Sequence, residues 1–84
     1  MSSNTEYLDI TFKATQLSLV FLSEVEKQMD FNGIKKTDLA KMLGTSKAYL
    51  TQLWRGDKIL NLHMISRMEQ ALNIKFNINT TTNA

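Results

Sequence analysis

The stretch Lys35 to Gly56, KKTDLAKMLGTSKAYLTQLWRG, constrains the fold more than any other part of the chain. Two short helical patterns, 36–43 and 46–55, meet at Gly44. In the first, Leu39, Ala40 and Leu43 share a face, and Ala40 has no side chain beyond Cβ to hold a neighbouring helix away. Glycine is the least costly residue where a chain must adopt positive φ to reverse. Thr45 or Ser46 can then accept from the free N–H groups of the next helix. That helix is two-faced. Tyr49, Leu50, Leu53 and Trp54 fall on one side, while Lys47, Ala48, Thr51, Gln52 and Arg55 fall on the other. Ten residues span about 15 Å, and the major groove of B-DNA is about 12 Å wide, so the polar side fits the groove while the apolar side is held by protein. Gln pairs bidentately with adenine, Lys donates to guanine, and Ala or the Thr methyl packs on thymine.

Charge is arranged to suit such a partner. The net charge of +2 is divided unevenly, with a balance of −3 over residues 1–34 and +5 over residues 35–84. Lys and Arg concentrated in the half that holds the turn are what neutralising phosphates requires. With 84 residues and no cysteine, one small core without disulfides is expected, in a reducing cytosol. The longest mostly apolar run, Leu17 to Leu22, is too short to span a bilayer.

The remaining chain reads as support. Residues 1–6 and 80–84 are polar and are expected to be flexible tails on one domain, 7–79. Tyr7 to Phe12 alternates with period two, which suggests a short strand over 7–12, with a helix start as the alternative. From Lys13 to Met29 the spacing of Leu17, Phe21, Val25 and Met29, widened by Val20 and Leu22, predicts the longest helix, closed at Asn32-Gly33. Asn61 is expected to cap a fourth helix whose face is Leu62, Ile65, Met68 or Glu69, and Leu72, with Met64 and Met68 beside it as gap-filling core and Asn73 as its stop. Ile74, Phe76 and Ile78 alternate with polar residues and suggest a second strand over 74–79. The fold class expected is mainly α, with four to five helices.

The run from Gly33 to Ile78 resembles the helix-turn-helix of the lambda-repressor-like, or Cro/C1-type (XRE), family. The resemblance rests on Leu39-Ala40, Leu43-Gly44, Ser46, Leu50, Gly56, and Leu62, Ile65 and Ala71-Leu72. It implies a homodimer that reads a palindromic operator, with base contacts from Lys47, Ala48, Thr51 and Gln52. Backbone contacts are implied for Lys36, Ser46, Arg55, Lys58 and Asn61. Lys36 stands where the family often has Gln, which exchanges a Gln to Gln contact for a phosphate contact. Trp54 replaces a smaller residue and reads as core; Arg55 replaces the frequent Asn and keeps affinity for phosphate. The expected role is a transcriptional repressor, cytoplasmic and nucleoid-associated, of prokaryotic or phage origin. The alternative is an antitoxin that binds a toxin protein and autoregulates its operon, since the segment after the fourth helix resembles that of small relatives that serve as antitoxins or as regulators on mobile elements.

Enzyme chemistry finds no foothold. His63 stands alone at the start of the fourth helix, Glu24 and Glu26 point apart on theirs, and the three glycines sit at helix ends rather than in a phosphate loop. No metal or cofactor is expected.

Overall fold

Ser18 decides how the longest helix sits. A computed structural model describes residues 4–82 of the chain, and its first helix, α1 (Asn4–Asn32), runs through 29 residues. The Ser18 hydroxyl accepts a hydrogen bond from the Leu60 N–H at 2.9 Å, so Ser18 is buried and the helix turns that side inward together with Leu22, Val25 and Met29. The spacing 18, 22, 25, 29 is a four-three-four seam on one face. The inward stripe expected from Leu17 and Val20 is therefore corrected: they are 63% and 60% exposed, and Phe21 is half-buried, because the polar partner 42 residues away sets the rotation. Ser18→Ala would leave the Leu60 N–H unpaired in a partly buried place. It is expected to lower stability by about 1–3 kcal/mol in denaturant unfolding, and an unchanged midpoint would contradict this role.

The expected strand over 7–12 is also corrected, since those residues are helical and α1 begins at Asn4, inside the segment 1–6 expected as a tail. Leu8 and Phe12, one turn apart, fit the helical repeat as well as the alternating one, and length favours the helix. Residues 1–3 and 83–84, which belong to the two expected tails, lie outside the described residues.

Three shorter helices follow, α2 (Lys36–Leu43), α3 (Lys47–Arg55) and α4 (Leu62–Leu72). Helix α2 packs on α3 and α4, and α1 packs on α3 and α4. The shared core is made by Leu22, Val25 and Met29 of α1, Leu39, Ala40 and Leu43 of α2, Leu50 and Leu53 of α3, and Met64, Met68 and Leu72 of α4. Leu62 is 81% exposed and does not join the face expected for it; Met64 takes that place and Ile65 is half-buried. An Asn61 cap at the first turn aims position 62 outward. The cap itself forms as the sequence implies, with the Met64 N–H donating to Asn61 Oδ1 at 2.7 Å, and Asn73 closes α4 at φ 54°.

Residues 74–79 form no strand, and no strand is present among the described residues. The segment lies extended against α1. The Phe76 N–H donates to Glu69 Oε2 at 2.8 Å, and the Phe76 ring meets Phe21 edge-on at 5.1 Å between centroids. A side-chain carboxylate thus takes the donor that a neighbouring strand would have taken.

Candidate nucleic-acid interface

The turn between α2 and α3 is built from backbone chemistry that its residues supply. Gly44 adopts φ 67°. The Gly44 N–H donates to Lys41 O at 3.1 Å and the Thr45 N–H to Ala40 O at 2.9 Å, a pair of bonds that satisfies the last carbonyls of α2. Arg67 of α4 donates through Nη2 to Leu43 O. A Cβ at position 44 would stand 3.3 Å from that same nitrogen, a tight approach to the end of a flexible side chain, so it is the positive φ that favours glycine here. At the other end of α2 the Asp38 carboxylate accepts from the Lys35 N–H at 3.1 Å. Ser46 then begins α3, its Oγ accepting from the Tyr49 N–H at 3.1 Å.

With both ends fixed, the two faces of α3 separate. Leu50 and Leu53 are wholly buried, and Tyr49 and Trp54 are half-buried beside them. Lys47, Ala48 and Gln52 are exposed and Thr51 is half-buried. Among the described residues, none of these four side chains is engaged in an internal hydrogen bond or ion pair. The four residues expected to read bases thus lie on one outward stripe of a helix whose inner stripe is core.

The set expected at the phosphates is more scattered in its engagements. The Lys36 ammonium lies over the Trp54 ring, 5.0 Å from its centroid, and is half-buried. A cation–π contact of this kind contributes about 0.5–1 kcal/mol and holds the ammonium at the start of α2. The Trp54 Nε1 is buried without a hydrogen-bond partner, so the indole acts through its packing and its face. Arg55 and Asp57 form a pair at 3.5 Å with both side chains more than half exposed, which contributes at most about 1 kcal/mol and competes weakly with a phosphate. Lys58 is exposed. Ser46 and Asn61 both spend their side-chain oxygens as helix caps; Asn61 retains its NH₂ as a donor, while the exposed Ser46 retains its hydroxyl proton. His63 is exposed in the first turn of α4. Among the described residues no group of three or more His, Cys, Asp or Glu is placed to hold a metal ion, and no helix is long and apolar enough to cross a membrane.

Two positioning residues escaped the sequence reading. Arg67 seals the carbonyl end of α2, and Ser18 anchors the loop that leads from α3 to α4. Only Ser18 left a signal, as the one polar residue in the apolar run Leu17 to Leu22.

A short helix, a glycine turn and a second helix with a free polar stripe define a helix-turn-helix DNA-binding domain. Residues 32–78 match the family model described as Helix-turn-helix, and the chain belongs to that family, in the lambda-repressor-like group that Leu39-Ala40 and Leu43-Gly44 pointed to. Membership carries binding of double-stranded DNA and regulation of transcription. Searches of curated proteins and of solved structures find no match. The matched residues begin at the last position of α1, so nearly the whole of that helix lies outside the family model.

Proposed function

We propose that the protein represses transcription by occupying an operator as a homodimer, with α3 of each copy in a major groove. The observation that carries this reading is the outward stripe Lys47, Ala48, Thr51 and Gln52, left unengaged by the rest of the fold while Leu50 and Leu53 hold the helix from behind. One such helix reads few base pairs. Paired half-sites about 34 Å apart supply the affinity and selectivity an operator requires. In this reading Lys36, Arg55 and Lys58 neutralise phosphates, and Ser46 and Asn61 donate to the backbone from helix caps. No step calls for a metal or cofactor.

Lys36 gives the test of the phosphate set. Lys36→Ala is expected to weaken binding to specific and unrelated duplexes alike, and to make the slope of log K against log salt shallower by about one unit. Fluorescence anisotropy across a salt series measures both. An unchanged slope would remove Lys36 from the phosphate contacts and leave it only as a partner of Trp54.

A further inference from the structure

Lys36 is held in a way that sets it apart from the other cations near the helix-turn-helix. It is half-buried, whereas Lys35, Lys41, Lys47, Arg55 and Lys58 are exposed. Its ammonium lies 5.0 Å from the centroid of the Trp54 ring and forms no ion pair with a carboxylate among the described residues. Arg55, by comparison, is paired with Asp57 at 3.5 Å.

The two holders differ in chemistry. A carboxylate fixes a cation by neutralising it, so a phosphate must displace that partner before it gains the charge. A ring face attracts the cation through its quadrupole and carries no net charge, which leaves the ammonium able to serve a phosphate oxygen. Trp54 suits this task because its plane is set from behind. The indole packs against the shared core, and its Nε1 is buried with no hydrogen-bond partner, so packing fixes the ring and its face is what it offers to Lys36.

We infer that Trp54 is a positioning residue for DNA binding, which holds the Lys36 ammonium, without neutralising it, at the start of α2 where a phosphate is met. The inference rests on the reading that Lys36 contacts phosphate, and it gives Trp54 the task of preparing that contact. A free lysine side chain has rotamer freedom that immobilisation at an interface removes. A side chain already ordered in the free protein loses less of it on binding. Because the pair joins α2 to α3, it also fixes the phosphate contact relative to the helix that carries Lys47 and Gln52.

Trp54 is the only tryptophan in the chain, so mono- and difluorinated tryptophan can be placed at this position alone. Fluorine draws electron density from the ring and weakens the attraction for a cation while nearly keeping the shape of the side chain. Fluorescence anisotropy with a labelled duplex of unrelated sequence reads the effect, since a phosphate contact carries no sequence preference. Affinity is expected to fall stepwise with fluorination and to be about 2–5-fold weaker per bound copy for Trp54→Leu, which lacks the ring. The salt slope should hold in all of these proteins, because the Lys36 charge remains. In a Lys36→Ala background neither fluorination nor Trp54→Leu should lower affinity further, because the positioned group is gone. Equal losses in the two backgrounds would show that Trp54 acts by supporting α3 rather than through Lys36, and would overturn the inference. Affinity indifferent to fluorination would overturn it too, as would affinity that rises, which would mean that the ring withholds Lys36 from phosphate. If Lys36→Ala by itself left affinity and salt slope unchanged, the phosphate reading would fall and the inference with it; the other outcomes overturn the inference alone. Should Trp54→Leu not fold, the fluorinated proteins in the two backgrounds decide the question.

Discussion

Leu50→Ala is expected to destabilise the protein by about 2–5 kcal/mol and to abolish DNA binding at temperatures where the wild type is folded. Leu50 is wholly buried and is the side chain by which the middle of α3 is fastened beneath its polar stripe. Truncation removes its burial and leaves a void in the core that α3 shares with α1, α2 and α4, and a close-packed interior relaxes around such a void only in part. The loss is large against the 5–15 kcal/mol that separates most folded domains from their unfolded state. Urea unfolding followed by circular dichroism gives the value, and a shift below about 1 kcal/mol would show that α3 is held chiefly by its turn and caps.

Gln52→Ala is expected to act on the other face, with the fold intact. Gln52 is exposed and its side chain makes no internal hydrogen bond, so truncating it costs the free protein little. A bidentate Gln to adenine pair discriminates against a wrong base by about 1–3 kcal/mol, and that preference should disappear at one position of each half-site. Affinity for unrelated duplexes and the salt slope should hold, because the phosphate contacts are untouched. Equal selectivity in the variant would take Gln52 out of the reading set and leave Lys47, Ala48 and Thr51 to account for it.

The contrast between these two side chains explains what could be read from the sequence. The segment from Lys36 to Arg55 was legible because its decisive features are local. Gly44 must turn, Ser46 must cap, and spacing within nine or ten residues separates Leu50 and Leu53 from Lys47 and Gln52. Asn61 and Asn73 bounded α4 for the same reason. Helix α1 was not legible in the same way, since apolar residues stand on most sides of it between Tyr7 and Leu22 and several stripes compete. The stripe that wins is selected by Ser18 and Leu60, which the chain brings together only after folding. Ile74 and Phe76 show the complementary limit: their alternation identified an extended segment with one side inward, but pairing depends on a neighbouring strand, and Glu69 takes its place. For the outward residues of α3, stripe and chemistry are legible together in the sequence, whereas the engagement of Lys36 by Trp54 depends on how α2 crosses α3.

Selection of bound duplexes from a random pool, carried out with the wild-type chain, addresses the reading of DNA by α3 most directly. The expected result is enrichment of a palindrome whose two half-sites are centred about one helical turn, or 34 Å, apart, with an adenine position in each that relaxes when the selection is repeated with Gln52→Ala. A pool that emerges without a common sequence, or a motif unchanged by Gln52→Ala together with substitutions at Lys47 and Thr51, would contradict it.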